Sequence, residues 1–114
     1  IGVIMVQNFF FGNEIEALPV GDGVTRKVLA HNDNLMVCEV SFKKGSVGAM
    51  HHHPHTQSTY VKSGVFEFTI DGVKRIVKEG DTMYKQPDVV HGCVCLEDGV
   101  LIDIFTPERK DFLK

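Results

Sequence analysis

Asp71-Gly72 separates two stretches of alternating side chains. Phe66, Phe68 and Ile70 alternate with Val65, Glu67 and Thr69 before it, and alternation resumes from Val73 to Val77 after it. A two-residue Asp-Gly link takes positive φ at both central positions, and the resulting type I′ turn matches the twist of paired strands. This part of the chain is therefore expected to form an antiparallel hairpin. The same period recurs upstream, where Met36, Cys38, Val40 and Phe42 share one face of an extended segment and Val37, Glu39 and Ser41 share the other. Glu79-Gly80 and Asp98-Gly99 read as further turns, and Leu101 to Phe105 as a late strand with Leu101, Asp103 and Phe105 on one face. Helical periodicity extends nowhere beyond a turn or two. Short strands with closely spaced turn signals imply an all-β sandwich or barrel.

With 114 residues the chain has room for one core, so residues 1–114 are expected to form a single domain. Met5 reads as a natural start, with residues 1–4 vector-derived. The longest apolar runs are only strand-sized, which gives no sign of a membrane span. A net charge of −3 provides no bulk basic footprint for nucleic acid. Three cysteines, Cys38, Cys93 and Cys95, do not make a disulfide framework. Reduced thiols and the lack of a visible secretory leader pattern make a cytoplasmic protein the expectation.

Four of the six histidines fall in His51-His52-His53-Pro54-His55. The cluster is internal and contains a proline, unlike a purification tag. In an extended segment His51 and His53 project to one face and His52 to the other. Gln57 lies past the proline bend and can return to the same point, and His91 follows a second turn-rich stretch. Three imidazoles and one oxygen donor from neighbouring strands suit one divalent transition metal, with zinc, nickel, manganese and iron all compatible. His52 is expected to point away from the ion, and His55 to serve a structural or solvent-facing role. His31, beside Asn32-Asp33, is expected in a hairpin turn. Cys93 and Cys95 alternate with His91 and read as buried structural thiols.

Asp103 sits in the middle of an apolar strand, where an unpaired carboxylate is costly. Arg109 follows a proline break. A barrel-wall Asp103 paired with Arg109, and a pair of groups folded over a pocket, both fit the residues alone.

Gly45-x5-His51-x-His53-x3-Gln57-x6-Gly64 resembles the first motif of the cupin superfamily, with Gln57 at the usual Glu position. Gly80-Asp81 through His91 resembles the second, although Gln86 and Asp88 replace the usual Pro and Gly, and Cys95 the usual Asn. The resemblance implies a single-domain cupin, a jelly-roll β-barrel with a metal inside one end. His51 to Gln57, Arg26 to Asp33, and Asp103-Ile104-Phe105-Thr106-Pro107-x-Arg109-x-Asp111-Phe112 together resemble the KdgF-type pectin-degradation cupins. Thr56 departs from that family's usual Glu.

Members of that family open the ring of 4,5-unsaturated uronate monosaccharides from pectin or alginate, giving 5-keto-4-deoxyuronate. The resemblance implies His51, His53, Gln57 and His91 as metal ligands. It implies Asp103 and Arg109 as catalytic residues and Phe105 and Arg109 as substrate-binding residues. Opening the hemiacetal at C1 releases an enolate at C5, and C4 must then gain a proton. Asp103 is the candidate for proton transfer, Arg109 for clamping or steering the anionic sugar, and Phe105 for an apolar wall. The alternatives are a metal-dependent dioxygenase on the same shell, disfavoured by Gln57 in place of a carboxylate, and a non-catalytic sugar-binding cupin. Small cupins commonly pair by sheet extension, so a homodimer is expected. Phe9-Phe10-Phe11 offers an interface, a barrel-closing segment or an ordinary edge strand.

Overall fold

The Asp71-Gly72 hairpin forms as its residues require, with φ of 50° at Asp71 and 77° at Gly72. It joins two of eight strands in a computed structural model that describes residues 6–114. The assignment of residues 1–4 lies outside the described residues. The strands are β1 (Leu18–Gly21), β2 (Val24–Asn32), β3 (Leu35–Phe42), β4 (Val47–His51), β5 (Thr56–Ile70), β6 (Val73–Lys78), β7 (Thr82–Lys85) and β8 (His91–Thr106). Two short 3₁₀ turns, Gly12–Glu14 and Lys110–Leu113, flank them. Among the described residues no helix is long and apolar enough to cross a membrane.

All pairings are antiparallel, in the order β1-β2-β3-β8-β5-β6, with β4 on β8 and β7 on β5. The long strands β5 and β8 organise the barrel. The first half of β8 pairs with β4 and the second half with β3, while β5 runs beside it throughout. This is the jelly-roll arrangement, in which long bent strands serve both walls. The alternation upstream is borne out: Met36, Cys38, Val40 and Phe42 are buried, and Val37, Glu39 and Ser41 only partly so. Phe66 and Phe68 join them in the core, and the Phe42 and Phe66 rings meet edge to face at 5.3 Å.

Three local expectations are corrected, for Asp98-Gly99, Phe9-Phe10-Phe11 and His31. Asp98-Gly99 is not a turn, because β8 runs straight through it. The two glycines Gly64 (φ 84°) and Gly99 instead let β5 and β8 cross closely, and a Cβ on Gly64 would meet the Gly99 Cα. β6 is exposed at nearly every position, since it extends beyond the barrel as an edge strand. Phe9-Phe10-Phe11 forms no strand: Phe9 and Phe11 stack on each other at the surface, and Phe10 lies against the His31 ring. His31 lies within β2, paired with Met36, rather than in the turn. Its Nδ1 lies 2.8 Å from Oε1 of the buried Glu108. The Glu108 N–H donates to Asp33 O. These contacts tie the C-terminal segment to the β2–β3 turn and lay Phe112 against Phe105, with ring centroids 5.6 Å apart.

Candidate metal centre and active-site cavity

β4, the loop after it and the start of β8 bring His51, His53 and His91 together. One ligand atom from each lies within 4.8 Å of the others. Register explains the convergence, because His51 pairs directly with His91 across β4 and β8. His51 Nδ1–H donates to Ala49 O at 2.7 Å, and His91 Nδ1–H donates to Val89 O at 2.9 Å. Each backbone bond fixes a tautomer that leaves the Nε2 lone pair free. The His91 Nε2 is buried without a hydrogen-bond partner. An orphaned lone pair of this kind is what a metal would satisfy.

Gln57 is buried at the start of β5, and its Oε1 lies 2.9 Å from His53 Nε2. It thereby joins the three imidazoles as an oxygen donor. Burial pushes His91 down to about 4 and lowers His53 as well, despite the opposing contacts of Val89 and Gln57. Both rings are therefore neutral near pH 7, the form that binds metal. The residues fit one divalent ion held by His51, His53, His91 and Gln57.

The other histidines are placed differently. His52 is exposed, with its ring 3.4 Å from Asp88 at the surface. His55 is partly buried beside the centre, 5.3 Å from the His53 ring and 6.4 Å from Phe105. The proline bend turns it inward to pack against the site.

Beside the metal centre is a cavity of about 380 Å³, lined by His51, Gln57, His91, Asp103, Phe105 and Arg109 among others. That volume falls in the range of small-molecule sites. Strand alternation puts Leu101, Asp103 and Phe105 on its wall. Asp103 does not pair with Arg109. Its Oδ1 accepts the Thr59 hydroxyl proton at 2.6 Å, and Thr59 Oγ1 in turn accepts from Lys85 Nζ at 2.8 Å. Arg109 makes two hydrogen bonds to Asp111, at 3.0 and 2.9 Å, which hold that carboxyl below its usual range. The Arg109 guanidinium stacks over Phe112 at 4.2 Å.

Sequence reasoning missed Thr59 and Lys85. Lys85 is only 2 % exposed, and burial lowers its pKa while Asp103 opposes the shift. The alternation Gln57-Thr59-Val61 on β5 offered a signal for Thr59. Nothing local marked Lys85 as buried.

Cys38, Cys93 and Cys95 are free and buried. Burial pushes Cys38 up to about 12 and Cys93 up to about 11, and raises Cys95 too. At pH 8 the Cys93 thiolate is then only about one part in a thousand, well below that of an ordinary thiol. A colourless aromatic disulfide reagent at pH 8 is expected to label none of the three within minutes in the native protein, and all three in guanidinium. Fast labelling of the native protein would contradict the structural reading of these thiols.

A small jelly-roll barrel with a cluster of three histidines able to hold a metal defines a class, and the chain belongs to it. The cupin-domain family pattern matches residues 38–105, so this is a cupin. Over nearly its whole length the chain is similar to the pectin degradation protein KdgF of Dickeya dadantii (strain 3937). The two are 44 % identical over 110 residues, which cover 95 % of this chain and all of that protein. The solved structure of KdgF from Halomonas sp. superposes with a TM-score of 0.90 at 38 % identity, covering 94 % of this chain and 99 % of that one. An RmlC-like cupin from Shewanella frigidimarina NCIMB 400 matches with a TM-score of 0.90 at 40 % identity, covering 94 % and 96 %.

Proposed function

We propose that this cupin opens the ring of 4,5-unsaturated uronate monosaccharides released from pectin or alginate, producing the linear 5-keto-4-deoxyuronate. One observation carries the reading: Asp103, Phe105 and Arg109 face the same cavity as the histidine centre, in a chain 44 % identical to a pectin degradation protein. The bound metal would supply Lewis-acid stabilisation of the negative charge that develops on the enolate and carboxylate oxygens.

The protein's own residues supply the rest. The Asp103 carboxylate takes the C1 hydroxyl proton as the bond from C1 to the ring oxygen breaks. C1 becomes an aldehyde, and the electron pair stays on the former ring oxygen as the C5 enolate. Asp103 then returns the proton to C4, giving a C5 ketone, so the reaction is a net isomerisation that needs no redox partner. Thr59 occupies Oδ1 of Asp103 as a donor, leaving Oδ2 as the oxygen that carries the proton. Phe105, 2 % exposed, offers an apolar wall to the sugar face. Arg109 adds positive charge to the cavity wall and draws the anion in. The reading includes a cytoplasmic location and a homodimer; the edge strands β1 and β6, with their exposed apolar side chains, support the pairing.

The test is decay of the ultraviolet absorbance of 4,5-unsaturated galacturonate, followed with metal-loaded protein against a protein-free control. Acceleration well above spontaneous opening is the expected result. Decay equal to the control, with metal bound and the fold intact, would remove the proposal for this sugar.

A further inference from the structure

The cavity holds more positive charge than its protein partners balance. Arg26, Lys85 and Arg109 all line it, and Asp103 is the one carboxylate among the lining residues. Lys85 is linked to Asp103 through Thr59, and Arg109 is bound by Asp111 at two points. Arg26 has no hydrogen bond or ion pair among the described residues. It lies on β2 opposite Val40, half-buried, with its guanidinium carbon 3.4 Å from the centre of the Phe112 ring. Stacking on an aromatic ring fixes the plane of a guanidinium while leaving its edge donors open.

We propose that Arg26 is the seat of the substrate's carboxylate and selects uronates over neutral sugars. A partly desolvated cation whose nearby carboxylates, Asp103 and Asp111, make no direct contact with it is under-compensated, and a planar anion at its edge recovers that cost. The guanidinium fork matches a carboxylate through two parallel N–H donors. Arg109 is the weaker candidate for this seat, because its fork is already occupied by Asp111. The identity of the anion rests on the uronate reading above. The uncommitted guanidinium in the cavity does not.

The experiment titrates galacturonate, which is saturated and lacks the enol ether that opens, and galactose into the full-length protein. Binding is followed by NMR, with and without metal. Wild type is expected to bind galacturonate at least about tenfold more tightly than galactose in both forms, the scale of a charge-assisted hydrogen bond. Arg26→Gln is expected to erase that preference, Arg26→Lys to keep part of it, and Arg109→Gln to keep most of it. Galacturonate affinity within about twofold of wild type in Arg26→Gln, or no preference in wild type, overturns the proposal. Should Arg26→Gln fail to fold, Arg26→Lys decides, since it keeps the charge without the fork: unchanged affinity there overturns the proposal, and weakened affinity supports it. Ring opening by wild type is measured separately. Acceleration combined with Arg26-independent binding overturns this inference alone, and Arg26-dependent binding without acceleration overturns the activity alone.

Discussion

His91→Ala is expected to strip the metal and abolish accelerated ring opening together. His91 is 3 % exposed, its tautomer is fixed by Val89 O, and its buried Nε2 has no protein partner. Removing it deletes one of three imidazoles and leaves the others without a closed set. Partners that merely orient a ligand are worth roughly 10–100-fold in metal affinity, so losing the ligand itself is expected to cost at least about 100-fold. Metal content after dialysis, read by elemental analysis, is the direct measurement. His52→Ala is the matched control. That ring faces solvent beside Asp88, so metal content and activity are expected to stay at wild-type levels. Full metal occupancy in His91→Ala, or loss of metal in His52→Ala, would assign the centre to the wrong face of the His51-His52-His53 stretch. Thermal melting of both variants without added metal separates ligand loss from unfolding, because the cavity left by His91 also removes packing from the barrel interior.

What could be read from the sequence was local. Asp71-Gly72 announces its turn because two adjacent residues must both take positive φ, and few residue pairs do so cheaply. The His51-His53 spacing marks the two as candidates for one centre, although β4 ends at His51 and it is the loop after it that carries His53 to the cluster. Met36 to Phe42 shows its buried face because a strand repeats every two residues. Features that depend on register between distant strands were hidden. Lys85 reads as an ordinary surface lysine ending a short strand, and its hydrogen bond to Thr59 spans 26 positions. Thr59 reaches Asp103 across 44 positions. His31 reads as a turn residue until Glu108, 77 positions away, folds back to meet it. Asp98-Gly99 misleads for a related reason: the glycine is required by the close passage of β5 at Gly64, not by a reversal of the chain. Arg26 lies in a stretch similar to the family's first strand, yet its place in the cavity wall shows only once Phe112, from the opposite end of the chain, packs against it. The candidate metal ligands were therefore legible, whereas the charge network around the cavity needed the fold.

Asp103→Asn tests that network where the chemistry is placed. The substitution keeps the shape of the side chain, and an amide oxygen can still accept the Thr59 hydroxyl at the position of Oδ1. The barrel is thus expected to fold and to hold metal as wild type does. The amide cannot take the C1 hydroxyl proton or return one to C4. A positioned acid–base group contributes roughly 10²–10⁴-fold, so kcat is expected to fall by at least about 100-fold toward the spontaneous rate. Because the proposed substrate is an anion, replacing the Asp103 carboxyl by an amide is not expected to weaken substrate binding, and KM should stay level or drop. That separation distinguishes proton transfer from a structural role, which would move KM, metal content and melting together. Thr59→Val gives the complementary result: it removes the donor to Oδ1 and the acceptor for Lys85 and Gln57 while preserving volume, and Thr59→Ser restores all three. A smaller fall in kcat with Val, rescued by Ser, would show that Thr59 orients Asp103 instead of carrying the proton. Activity of Asp103→Asn within about threefold of wild type, far from the expected loss, would move the proton transfer to another group in the cavity; Lys85, which lines the same cavity, is then the next candidate, taking the C1 hydroxyl proton as a neutral amine and returning it to C4 as the ammonium.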